Sequence, residues 1–202
     1  MTDFFVCLAQ YNEDEQKIRA RTFVKENARQ ADIRRVEFAG CSFSGCQLGG
    51  ADFTGASFQN TTFTACDFSN ACLRNAYFDN CRFSDCRLIG ADFSQSLLQK
   101  TVFCACPLRS ACFDMADLRF VSAEDCDFSE ASIRECKLKN VRQENCIFIR
   151  NNFFKTALKG IDFSTGVFSA PTVSMPPEEL RGIRISAMQA ADLIQLFGIE
   201  VI

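Results

Sequence analysis

The chain has 202 residues, with 22 basic against 25 acidic side chains and no histidine, for a net charge of −3. An acidic pI near 5.1 argues against general nucleic-acid binding, which needs a basic stripe. No stretch approaches the about eighteen apolar residues of a membrane span, and the length allows one domain or one domain with a short appendage.

Residues 1–30 open with MTDFFVCLAQYNEDEQ. This segment has no positive n-region and is charged where a secretory signal would be apolar, so a cytoplasmic chain is expected. Ile18, Phe23 and Ala28 keep the fivefold spacing described next, but Gln16, Arg21 and Glu26 occupy the positions two before them. A short helix after Asn12, or an irregular cap, is therefore expected over 1–30. A solenoid needs such a cap because an open coil edge invites strand pairing.

Residues 31–170 hold the repeat. From Val36 to Ala170 the chain divides into 27 blocks of five, VEFAG CSFSG CQLGG ADFTG and so on, centred on Phe in 16 blocks and Leu in 8. The exceptions are Ala123, Ile133 and Gln143. A period of five drifts around a helix at about 100° per residue and alternates sides in a continuous strand. Three extended residues followed by a two-residue corner satisfy it, with the block centre and the residue two before it pointing in. That second position is small almost throughout, as in Cys41, Cys46, Ala51, Ala56 and Thr61. The remaining positions carry Ser, Asn, Asp, Gly, Arg and Gln, which suit water and turns. Four such sides close a square coil, and nearly seven coils stacked about 4.8 Å apart give an all-β rod of roughly 32 Å. Its interior is expected to be packed solid, with four flat sides and no cleft.

Nine of the 13 cysteines fall at the small inward position. Cys46, Cys66, Cys86, Cys106, Cys126 and Cys146 recur every twenty residues, a ladder of compact apolar side chains. Parallel in-register side chains point the same way, so reduced thiols are expected, and Cys72, Cys104 and Cys112 at outward positions suit a reducing compartment. No metal or cofactor is expected, since a one-dimensional ladder does not surround an ion. No P-loop, GxGxxG or clustered nucleophile is present, so no catalytic residues are assigned.

Sorting blocks by their place in the coil gives one acidic face, with Asp85, Glu124, Asp125, Glu144 and Asp162 against Arg82 and Arg142. Another face leans basic, with Lys100, Arg119, Lys137, Lys139 and Lys159 against Glu37, Asp79 and Asp117. The acidic face is the candidate partner-binding surface. Ala123 and Gln143 stack on it in adjacent coils, beside the larger Val121 and Val141. A kink or soft spot is expected there, and Gln143 needs a hydrogen-bond partner inside.

Residues 171–202 differ in kind. Pro171, Pro176 and Pro177 are expected to stop the stacking. Ser186 with Gln189 three residues later makes a capping box for a helix, and Gly198 falls where a C′ glycine belongs. Met188, Leu193, Ile194, Leu196, Phe197, Ile199, Val201 and Ile202 offer more apolar surface than one coil end needs, which predicts a homodimer through this tail.

Two resemblances follow from these residues. The blocks ADFTG, CDFSN, ADFSQ, ADLRF and CDFSE resemble the pentapeptide-repeat family, whose consensus is A-D/N-L-x-x; this implies a right-handed quadrilateral parallel β-helix. The tail RGIRISAMQAADLIQLFGIEVI is similar to those of the Qnr-type proteins and related immunity proteins. That resemblance implies end-to-end dimers that bind DNA gyrase or topoisomerase IV, protect it from quinolones or other poisons, and mimic duplex DNA. With no interruption between Val36 and Ala170, the chain is similar to the loopless members. No direct nucleic-acid, membrane or small-molecule partner is expected. The alternative reading is a structural or effector scaffold whose flat faces bind a protein unrelated to gyrase.

Overall fold

The structure is a computed structural model and describes residues 4–14 and 17–199. The chain forms a parallel β-solenoid of about eight coils with helices at both ends. Each coil has four sides. The first is centred on Ile18, Phe38, Phe58 and onward in steps of twenty, the second on Phe23, Phe43, Phe63 and onward. These two sides build seven-stranded parallel sheets in strict register, so that Phe38 pairs with Phe58 and Phe43 with Phe63. The third and fourth sides stack mostly through single bridges such as Gln47 on Asp67 and Asp52 on Cys72, and the third ends in a strand pair, Ile147–Ile149 with Val167–Ser169.

The corners explain the period. The last residue of nearly every block takes left-handed backbone, including Asn60 (φ 49°), Asn80 (φ 54°) and Phe120 (φ 56°). Asn, Asp and Gly tolerate this conformation best. Its N–H is then aimed at the next coil, as from Asn60 N to Asp79 O at 2.9 Å.

Block centres fill the axis. On the second side Phe43, Phe63, Phe83 and Phe103 stack with ring centroids 4.6–5.1 Å apart. The small inward residues also make bonds: Cys81 Sγ donates to Phe58 O at 3.3 Å and Ser96 Oγ to Phe93 O at 2.6 Å. The cysteine ladder stops at Gly166, where a Cβ would lie 2.0 Å from Cys146 O, because the backbone there lies too close to that of coil seven for a side chain.

The ends depart from the sequence-based expectation. The first helix, α1, spans Phe4–Asp14, so it runs through Asn12 and does not begin after it, and the coil is already running at Ile18, inside the stretch expected to be a cap. Helix α1 lays Phe4, Cys7 and Leu8 over the open coil, with Phe4 ring-to-ring against Phe23 at 5.0 Å. Arg21 fits the first coil because it turns out to solvent, while Gln16 lies outside the described residues. A terminal coil has a neighbour on one side only, so its slots need not all face inward. At the other end the frame outlasts Ala170. Pro171 fills a buried slot, whose N–H elsewhere makes only a local turn bond, and Thr172 still bridges Asn152.

The second helix, α2 (Ala187–Ile194), has the expected capping box between Ser186 and Gln189. Gly198 ends the segment in left-handed backbone (φ 70°). No described helix is long and apolar enough to cross a membrane.

Candidate protein-binding faces and an opening in the coil

The acidic face lies on the second side of the coil. Strands Ser122–Glu124 and Arg142–Glu144 pair in register, so Glu124 sits directly against Glu144, with Asp125 beside Glu124. Like charges directly opposed on one sheet face repel. Asp85 occupies the same corner as Asp125, two coils away. Among the described residues none of these four carboxylates has an ion-pair partner. Asp162 stands apart. Its carboxylate accepts from Ser164 Oγ and N, which with Arg184 hold it below the usual carboxylate range. The structure thus brings four of the five predicted acids onto one ridge and engages the fifth with the tail. Phe120, 52 % exposed at the corner leading into this face, was hidden in the sequence because a Phe off the fivefold register looks like noise.

The same face carries a structural break. Between 137–145 of coil seven and 157–165 of coil eight, the described residues form no backbone–backbone hydrogen bond. The third and fourth sides remain joined there, through Phe148 paired with Phe168 and Asn152 bridged to Thr172. Coil eight instead bonds forward to the tail, from Leu158 N to Glu179 O at 3.0 Å and from Phe163 N to Arg184 O at 2.8 Å. Gln143 holds the open edge: its Nε2 donates to Asp162 O and its Oε1 accepts from Cys146 N. With Ala123 and Gln143 replacing two Phe or Leu centres, an apolar cavity of about 60 Å³ opens between Phe103 and Phe163. The expectation of a solid interior without a cleft is corrected here.

The tail divides the predicted dimer residues. Leu193 is buried and Leu196 half-buried against the chain's own core, so these two serve the plug and not a free surface. Met188 (85 % exposed), Ile194 and Ile199 face outward. An apolar groove of about 330 Å³ is lined by Leu180, Ile183, Ile185 and Ile194. The side chain of Phe197, and Val201 and Ile202 altogether, lie outside the described residues. Gln189 fixes the helix to the rod by donating to Phe163 O and Gly166 O at 2.9 and 3.1 Å.

Two sequence profiles match the chain, "Pentapeptide repeat region" over residues 31–108 and "Pentapeptide repeats (8 copies)" over 126–164, together more than half of its length. The chain belongs to the pentapeptide-repeat family. No curated protein matches it in sequence. Among solved structures it is similar to QnrB1, a plasmid-mediated fluoroquinolone resistance protein, at 23% identity and TM-score 0.55, covering 93% of this chain and 100% of that one. HetL, a pentapeptide-repeat protein involved in heterocyst differentiation regulation from the cyanobacterium Nostoc, aligns at 17% identity and TM-score 0.47, over 92% and 94% of the two chains. These likenesses concern the fold.

Within this pentapeptide-repeat rod the 13 cysteines are all free thiols. Burial pushes the thiols of Cys81 and Cys136 up to about 12. Such groups stay protonated at neutral pH and act as packing, since the thiolate is the reactive form.

Proposed function

We propose that this pentapeptide-repeat protein is a non-catalytic rod that binds a type II topoisomerase, DNA gyrase or topoisomerase IV, through its acidic second side, as a dimer joined at the tail. The observation that carries this reading is the ridge of Glu124, paired in register with Glu144, and Asp125, which among the described residues have no ion-pair partner, on the side whose other corner carries the exposed Phe120. An exposed aromatic on the same side as unneutralised charge is the composition of an interface core with its rim. The tail resemblance to Qnr-type proteins, together with the fold shared with a fluoroquinolone resistance protein, supports gyrase as the partner. Mimicry of DNA would work through this side alone, because a duplex of about 32 Å carries roughly nineteen charges, whereas residues 36–170 hold 15 acids against 13 bases.

The test is a titration of the protein into a gyrase supercoiling reaction with and without a fluoroquinolone. Less cleaved DNA at low micromolar protein is expected, and the effect should vanish in Glu124→Gln/Glu144→Gln. No change in supercoiling or cleavage with the folded protein would sink the topoisomerase reading. The near balance of charge over the whole coil favours the second reading, a scaffold whose flat sides bind another protein. Affinity capture with the exposed acids mutated as control would reveal that.

A further inference from the structure

The break between coils seven and eight has the build of a small-molecule site, independently of any protein partner. The 60 Å³ cavity is lined by apolar side chains, among them Phe103, Phe128, Leu138, Val141 and Ile161. It does not end blind. Leu138 and Val141 are only half-buried, whereas the neighbouring apolar residues that point inward on the first two sides are buried. They and Ile161 also line an outer vestibule of about 250 Å³, whose rim is Asn140, Arg142 and Lys159. Together cavity and vestibule reach the lower end of small-molecule sites, about 300–1,000 Å³.

The opening exists because the ladder is absent there. Joined coils would bring Lys137–Lys139 and Arg142–Glu144 against 157–159 and 162–164 and seal the wall. Gln143 keeps its edge apart while satisfying its own amide through Asp162 O and Cys146 N, so the gap is a stable part of the fold.

The rim fixes the charge of the occupant. Arg142 and Lys159 are exposed and, among the described residues, neither has a carboxylate partner. Lys137 and Lys139 lie on the strand before the rim. Of the acids around the rim, Asp162 is engaged by Ser164 and Arg184, and Glu144, which shares the outward face of the strand with Arg142, stands opposite Glu124 and forms no ion pair with Arg142. Apolar walls under two unpaired cations complement an amphipathic anion. We propose that this opening binds a small organic carboxylate, its short alkyl or aryl chain in the cavity and its carboxylate between Arg142 and Lys159.

The probe is hexanoate, with hexan-1-ol as its uncharged counterpart, followed by methyl NMR of the full-length protein. Saturable shifts at Leu138, Val141 and Ile161 are expected, with hexanoate at least tenfold tighter than hexan-1-ol. Ala123→Leu, which fills the cavity, should weaken both ligands at least tenfold. Arg142→Gln/Lys159→Gln should bring hexanoate down to the affinity of hexan-1-ol and leave the alcohol unchanged. Both substituted rim side chains are exposed, so this double variant carries the test even if Ala123→Leu does not fold. Absence of saturable shifts in the wild-type protein, or hexanoate binding indifferent to the rim variant, would overturn the proposal.

Discussion

Gln143 stacks in register on Ala123, and its side-chain amide bonds to Asp162 O, the carbonyl that the backbone N–H of a block centre reaches elsewhere in the coil. From the sequence, a polar residue in a Phe register reads as a defect whose repair should stabilise. The bonding reverses that expectation. Gln143→Leu strands Asp162 O and Cys146 N, so it should lower stability by about 1–3 kcal/mol. Chemical unfolding with urea measures this. A gain in stability would mean the coils close over the introduced leucine and rebuild the ladder.

Glu124 and Glu144 repel across their strand pair. Glu144→Gln should raise the melting temperature by about 1–2 °C in low salt. The gain should shrink in 1 M salt, where the Debye length falls to about 3 Å. Calorimetry at both ionic strengths decides it. A gain that survives 1 M salt would assign the effect to packing and remove the ridge of unneutralised charge.

The exposed side chains of Met188 and Ile194 are the apolar surface offered to a second copy. Burying each in a dimer is worth about 1.5–3 kcal/mol, so Met188→Glu/Ile194→Glu should weaken self-association by roughly a hundredfold or more. Sedimentation equilibrium, with circular dichroism as the control for folding, tests this. A wild-type monomer at high micromolar concentration would end the dimer reading and leave α2 as a plug.

Glu179 is 4 % exposed and ties the tail to the rod. Its carboxylate accepts from Ser174 Oγ (2.5 Å), Lys155 N (2.8 Å) and Ser174 N (3.1 Å). Burial alone would raise its pKa. The Ser174 hydroxyl and the two backbone N–H groups outweigh burial and hold it below its ordinary 4.5. A depressed folded-state value stabilises the protein above the unfolded pKa, and that stabilisation is lost as pH falls through the folded value. Melting temperature should therefore fall below about pH 4.5 more steeply in the wild type than in Glu179→Gln. Parallel curves for the two proteins would show that Glu179 is not linked to the tail's stability.

The sequence alone determined the coil. A period of five with a large apolar centre and a small slot admits one repeating geometry, and the Ser186–Gln189 capping box and Gly198 are local signals readable without any fold. It also exposed the irregular pair at Ala123 and Gln143 and the acids of one side, because stacking at twenty residues is simple arithmetic once the coil is known. What tertiary structure decided lies where neighbours are missing or displaced. Arg21 is harmless at an end coil, and Leu193 turns inward while Ile194 turns out. Coil eight takes its hydrogen bonds from Glu179–Arg184, a segment with no repeat in it, and so parts from coil seven. A repeat specifies what happens between identical neighbours; at an end or a substitution, the balance between packing and unpaired backbone groups is set by contacts the repeat does not contain.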